Sequence, residues 1–188
     1  MDVNLCQILN HLENWTFKYS RFSGLFKDCS SLIDLSPLVK WDVKEIHNYS
    51  YMFSGCYSIK SLIPLEKWNS SGYHDFSHMF EGCSGLTSLK GLEKWHLSTS
   101  SNFSYMFSGC LSLSDISALE KWNVSNGDDF SYMFNGCSSL TNGKSLYNWK
   151  INSNKKLKGM FFECNLIHDS KLLKKWKVSK KDFEIYEN

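Results

Sequence analysis

Hydrophobic residues recur in a fixed order every 27 residues from Phe22 to Val178, without an insertion. Tryptophan marks the period at Trp41, Trp68, Trp95, Trp122, Trp149 and Trp176. Cysteine marks it at Cys29, Cys56, Cys83, Cys110, Cys137 and Cys164. A constant period of this length is typical of repeat proteins, in which each unit is covered by its neighbours. The pattern predicts six stacked units.

The first half of each unit has the spacing of a short helix. In residues 102–109, Asn102 stands where a helix N-cap would accept a backbone hydrogen bond. Phe103, Met106 and Phe107 follow at i, i+3 and i+4 and would share one face. Gly109 then suits a C-terminal cap with positive φ. The predicted helix has barely two turns, so it depends on packing.

The second half of a unit has an apolar residue at every third position. In the fourth unit these residues are Cys110, Leu113, Ile116, Leu119 and Trp122. The spacing fits neither a regular helix nor an alternating strand, and it favours a coil that turns around a core. We expect a short strand at 113–116 and a second extended piece at 122–124. Strands from stacked units would pair into a parallel sheet.

The two ends of the chain differ from the repeat. Residues 1–21 predict an N-terminal capping helix and turn, because leucine and isoleucine recur at helical spacing from Leu5 to Leu12. Residues 22–178 form the six-unit array. Residues 179–188 imitate the start of a seventh unit and predict a C-terminal cap or a truncated array.

The stretch NVSNGDDFSYMFNGCSSLT at 123–141 resembles the repeat of BspA-like leucine-rich-repeat proteins. The likeness lies in the Trp, Met-Phe, Gly-Cys and Leu columns and extends over the chain after residue 21. It implies an α/β fold, a curved leucine-rich-repeat-like solenoid with a short helix and short parallel strands in each 27-residue unit. It further implies adhesion or protein–protein contact, with no catalytic residue. Such repeats occur on bacterial surface proteins, in parasitic protists and in large DNA viruses.

Composition and charge limit the kinds of partner and the cellular locations that we expect. The net charge of +2 gives no specific nucleic-acid signal, and no apolar run approaches the length of a membrane span. The N-terminus lacks the features of a secretory signal. We therefore expect a cytoplasmic or virion-associated protein, with the cell surface suggested by the family resemblance. From Lys144 onward the net charge is +6, against −4 before it. This basic end serves either solubility or an acidic partner.

The cysteines invite a metal or thiol hypothesis, which their spacing does not favour. They include no C-x-x-C pair and no patterned histidine. Stacked units would place the six repeated cysteines in a buried, reduced ladder, where a thiol behaves as a small hydrophobe. We therefore expect no metal, no cofactor and no enzyme activity, with a thiol-dependent enzyme as the weakest alternative.

The columns that vary between units are the candidates for contact with a partner. One variable column contains Ser36, Ile63, Lys90, Ser117, Lys144 and Lys171, and a second contains Ile33, Lys60, Thr87, Ser114, Thr141 and His168. If they face a concave sheet, they form a mildly basic, partly apolar protein-binding strip. Ordinary solvent exposure explains any single one of them equally well. From these columns we select Lys60, Ile63, Lys90, Lys144, His168 and Lys171.

A further column on the predicted helix, Tyr51, His78, Tyr105 and Tyr132, is either a second strip or packing between adjacent helices. The sequence thus predicts a non-enzymatic module that binds another protein of unknown identity. The alternative is a structural component of a virion or surface layer that associates with itself through the ends of the array.

Overall fold

In a computed structural model, which describes residues 22–68, 74–95, 97, 102–152 and 154–183, consecutive 27-residue repeats lie side by side. Backbone N–H groups donate to carbonyl oxygens of the next repeat, 26 residues further along. Phe53 N donates to Met79 O at 2.9 Å, and Phe107 N donates to Met133 O at 3.0 Å. The predictions for residues 1–21 and for 184–188 lie outside the described residues.

The first half of a repeat is a chain of overlapping turns, and the prediction of a short helix there is wrong. Met106 N donates to Phe103 O, three residues back, at 3.2 Å. The preceding residue, Tyr105, instead donates its N–H to Ser131 O of the next repeat. Tyr105 has a φ of 58°, which a right-handed helix does not contain. Asn102 Oδ1 accepts from Ser104 N at 3.1 Å, so it starts a turn instead of capping a helix.

Strand pairing in the described residues is limited to isolated parallel bridges. A row of them joins Asn48, Asp75, Asn102, Asp129 and Lys156. The predicted strand at 113–116 is wrong apart from one bridge between Ser88 and Asp115, and the extended piece at 122–124 forms no bridge. The reason is that turns inside each repeat use N–H groups that a continuous ladder would need.

The second half of most repeats contains a short 3-10 helix. The described 3-10 helices are Ser36–Lys40, Ile63–Leu65, Ser117–Lys121, Lys144–Leu146, Asn165–His168 and Lys180–Phe183. The described residues contain one α-helix, α1, at Ser170–Trp176. In the third repeat Gly91, with a φ of 109°, takes the place of a 3-10 helix.

The core is built from aligned columns, and their predicted burial is confirmed. Phe80, Phe107 and Phe134 are fully buried and stack with ring centroids 5.8 and 5.7 Å apart. Each described core tryptophan from Trp68 onward donates its Nε1–H to a leucine carbonyl of the preceding repeat, at 2.8–3.1 Å. These bonds satisfy the indole groups that burial would otherwise leave unpaired.

The distance between repeats changes from one side of the array to the other. We call Tyr51, His78, Tyr105 and Tyr132 the aromatic row; their rings stack with centroids 4.2–4.7 Å apart. The core phenylalanine rings are 5.5–6.0 Å apart, and the measured tryptophan pairs are 6.3–6.4 Å apart. The repeats therefore fan apart from the aromatic row towards the tryptophans, and the closest spacing lies at the row.

Candidate functional site

The six residues selected from the variable columns are all exposed, and Ile63 keeps 50% of its side-chain surface accessible. We call them the variable strip: Lys60, Ile63, Lys90, Lys144, His168 and Lys171.

A constant framework holds the backbone of the main variable column. Two residues before each variable position stands Asp, Ser or Asn, and its side chain accepts the backbone N–H of the variable residue. Lys144 N donates to Asn142 Oδ1 at 3.0 Å, and Lys171 N donates to Asp169 Oδ1 at 3.1 Å. The same bond recurs in all six repeats, although the residue that it holds is serine, isoleucine or lysine.

Two of these framework carboxylates have lowered pKa values. The side-chain and backbone hydrogen bonds from Ser36 hold the pKa of Asp34 below its ordinary value. At Asp115 the backbone and side-chain bonds from Ser117 lower the pKa, and the charge of Lys90 contributes less. Both groups therefore accept their turn hydrogen bonds as carboxylates at neutral pH.

Neighbouring members of the strip are brought together in two places. Gly91 lies directly against Leu62 and Ile63, because a Cβ on this glycine would come within 2.7 Å of Ile63 Cα. This close approach sets Lys90 beside Ile63. Further along, the 3-10 helices Ser117–Lys121 and Lys144–Leu146 pack against each other. A cavity of about 250 Å³ lies between them, with Ser117, Glu120 and Lys144 in its wall.

Two strip members have contacts of their own. Lys171 Nζ lies 5.1 Å from the centre of the Tyr147 ring, a cation–π contact. His168 Nδ1 lies 3.2 Å from Lys180 Nζ. Lys60, Lys90 and Lys144 take part in no ion pair within the described part of the chain.

The sequence pattern identified the column of the aromatic row but not its left-handed backbone. All four of its residues have a φ of 58°, while Gly24 and Gly159 occupy the same column at the two ends, with φ of 66° and 63°. Glycine at both ends was the available signal that this column requires a left-handed backbone. The rings cover one another, and Lys27 Nζ lies 4.9 Å above Tyr51. The row therefore exposes ring edges, and packing explains it.

Polar groups border the aromatic row. His78 Nδ1 lies 2.9 Å from Glu81 Oε2. Burial, with smaller effects of the Tyr132 and Glu81 charges, raises the pKa of Tyr105. The Tyr105 hydroxyl is thus neutral at physiological pH.

The cysteine ladder lacks the features of a reactive thiol. Cys56, Cys83, Cys110, Cys137 and Cys164 are buried and free. The thiols of Cys56, Cys83, Cys110 and Cys137 each donate to a phenylalanine carbonyl of the preceding repeat, at 3.1–3.3 Å. Burial raises the pKa of Cys56 to about 12 and that of Cys164 to about 11. Thiols with such pKa values are poor nucleophiles at neutral pH.

The prediction of six reduced cysteines is wrong at one position, since Cys29 is disulfide-bonded. The described residues contain no cluster of three or more His, Cys, Asp or Glu side chains that could hold a metal ion. Among the helices in these described ranges, none has both the length and the apolar character that crossing a bilayer requires.

Comparison with known proteins places the chain in one family. Residues 3–115 and 86–185 match, as two overlapping stretches, the family described as DUF285, Mycoplasma protein of unknown function. The chain belongs to this family of repeat-containing proteins. No curated protein and no solved structure matches it significantly.

Proposed function

We propose that the chain is a leucine-rich-repeat-like solenoid of the BspA-like kind that acts as a non-enzymatic protein-binding module. The regular inter-repeat hydrogen bonds and ring stacks support the solenoid. The resemblance of the Trp, Met-Phe and Gly-Cys columns supports the BspA-like assignment. In solenoids of this class, framework positions are kept and surface positions change with the partner.

The framework beneath the variable strip is the observation that carries this proposal. The side chains of Asn142 and Asp169 hold the backbone under Lys144 and Lys171, as their counterparts do in the other four repeats. A rigid backbone that presents changeable side chains lowers the entropy cost of binding. The same arrangement of variable residues on a fixed scaffold is general in recognition loops.

The test compares capture of a partner by matched charge variants. The purified chain, the strip variant K90E/K144E and the control variant K67E/K121E are each used to capture proteins from a cell extract. The two variants change the net charge equally, and all four lysines are exposed. We expect wild type and control to retain a common partner and the strip variant to recover several-fold less. Equal recovery by all three chains, with matching thermal unfolding curves, would contradict the use of this strip.

A further inference from the structure

The variable strip contains lysines that form no ion pair among the described residues. Elsewhere on the surface, charges of neighbouring repeats are paired: Lys94 Nζ lies 2.6 Å from Glu66 Oε1. The nearby framework acids are occupied, because Asp115 and Asp169 accept backbone N–H bonds. Lys90 and Lys144 are exposed and take part in no ion pair among the described residues, although Asp115 lies near Lys90 and Glu120 shares a cavity wall with Lys144. A complementary partner would supply the carboxylates.

On the second repeat the strip contains the apolar Ile63 beside Lys60. Ile33 of the second variable column and Ile63 of the main column are 64% and 50% exposed, and they lie on the first two repeats. From Lys90 onward, the main variable column contains only lysine and serine. The main variable column therefore changes from isoleucine to lysine and serine along the direction in which the repeats stack.

The repeat spacing sets the distance between Ile63 and Lys144. Ile63 and Lys144 are separated by three repeats. The parallel bridge between Ser88 and Asp115, next to this column, fixes a spacing of about 5 Å per repeat, hence about 15 Å in all. An extended chain advances about 3.3 Å per residue, so about five residues cover this distance. A single row of side chains suits one extended segment better than a helix about 10 Å wide.

We infer that the variable strip binds an extended protein segment with an apolar residue that contacts Ile63 and acidic residues about five positions away that contact Lys144. This inference rests on the proposed binding function and names the chemistry of its partner. The segment lies across the repeats, along the direction in which they stack.

The first test uses synthetic peptides of defined spacing and the full chain. The probe is a fluorescent peptide with one leucine, a four-residue neutral spacer and two glutamates; the controls replace glutamate by glutamine, or lengthen the spacer to nine residues. We expect the probe to bind, with an affinity that falls in higher salt. Both control peptides should bind at least about fivefold more weakly. Equal binding of the glutamine peptide would overturn the acidic requirement, and stronger binding with the long spacer would overturn the extended conformation.

Matched variants locate the contacts. We expect K144E to weaken binding of the probe about three- to tenfold and I63S about fivefold, because these two residues are the proposed contacts of the glutamates and the leucine. The control K121E carries the same charge change on an exposed residue outside the strip and should bind as wild type does. Binding that is unchanged in K144E, or a single-stranded oligonucleotide that binds more tightly than the peptide, would contradict the inference.

An unbiased selection separates the two proposals. A displayed library of random segments is selected against the full chain, and the binders are retested against K144E and I63S. Binders that need the strip but lack acidic residues would leave the binding function standing and overturn the partner chemistry. Binders that ignore every strip substitution would overturn both. Enrichment of apolar residues followed by glutamate or aspartate is the expected result.

Discussion

The interior repeats, residues 49–156, and the last repeat, residues 157–183, share their core columns but differ in their backbones. Trp122 and Trp176 donate to leucine carbonyls of the preceding repeat in the same way, at 2.8 and 3.0 Å. In the interior, Cys110 donates to Phe80 O at 3.3 Å, whereas Cys164 in the last repeat turns to Leu140 O at 3.7 Å. The last repeat also contains the α-helix α1.

Local sequence explains part of why α1 forms only in the last repeat among the described units. Asp169 caps it by accepting from both Lys171 N and Leu172 N, while leucine and lysine, good helix formers, follow. The equivalent segments of the first three repeats contain Pro37, Pro64 or Gly91, whereas the fourth, at Ser117–Lys121, contains neither residue type and is still a 3-10 helix. Proline and glycine both disfavour a helix interior.

The neighbouring repeat also contributes. The fifth repeat has Gly143 where the first four have leucine or isoleucine. Leu166 and Leu172 of the last repeat fill this space, since a Cβ on Gly143 would lie 3.3 Å from each. The comparison shows that the core columns set how repeats stack, while caps and volume complementarity set the backbone between them.

The largest expected effect is the loss of a ring from the interior stack. Phe107 is fully buried between Phe80 and Phe134, so Phe107→Ala should lower the free energy of unfolding by about 3–5 kcal/mol. The control is Phe162→Ala in the last repeat, where the ring is 45% exposed and the loss should be under about 1 kcal/mol. Chemical denaturation of both variants measures the difference, and similar losses would contradict the shared-core interpretation.

The aromatic row gives a sharper test of the interior backbone. Tyr105→Ala removes the stacking on His78 and Tyr132 but keeps a side chain at a φ of 58°; Tyr105→Gly removes the same stacking and relieves the left-handed strain. We expect the glycine variant to be more stable than the alanine variant by about 1 kcal/mol. A short helix would give the opposite order, because alanine exceeds glycine by about 1 kcal/mol in helices. Denaturant midpoints of the two variants decide between them.

A smaller effect is expected in the row of bridges, where Asn102 separates Asp75 from Asp129. Asn102→Asp would place three carboxylates in succession and should destabilise the chain by about 0.5–1 kcal/mol at neutral pH. The two neighbours raise the pKa of the new carboxyl in the folded state, so the folded variant binds its proton more tightly than the unfolded chain. The loss should therefore shrink as the pH falls towards about 4, and also in high salt.

Asn48→Asp is the matched control for this variant, because it places one additional carboxylate beside Asp75 alone among the described residues. Its loss of stability should be about half as large. Thermal unfolding of both variants between pH 3 and 7 provides the measurement. A loss that does not depend on pH would mean that the three side chains do not share a row.

The core could be predicted from the sequence, because the burial of columns such as Phe107 and Trp122 follows from period and polarity alone. The turn conformation could not. Phe103, Met106 and Phe107, framed by Asn102 and Gly109, satisfy helix spacing and capping, and overlapping turns use the same residue types. The deciding hydrogen bonds run to the next repeat, as from Tyr105 N to Ser131 O, and no local pattern encodes them. The six residues of the variable strip are exposed, as the variation of their columns predicts. Their role in binding stays a prediction.

The thiols provide the finest distinction between the interior and the last repeat. Cys164 keeps 4% of its surface exposed, has the long contact to Leu140 and has a pKa of about 11, whereas Cys56 is fully buried with a pKa of about 12. The residual exposure and the weaker hydrogen bond of Cys164 both favour reaction, so Cys164 should react with a thiol reagent at pH 8 faster than Cys56. Mass spectrometry of the partly labelled native chain resolves the two sites. In denaturant the rates should become equal, because the two environments no longer exist. Faster native labelling at Cys56 would mean that the interior ladder, and not the last repeat, is the more open part of the array.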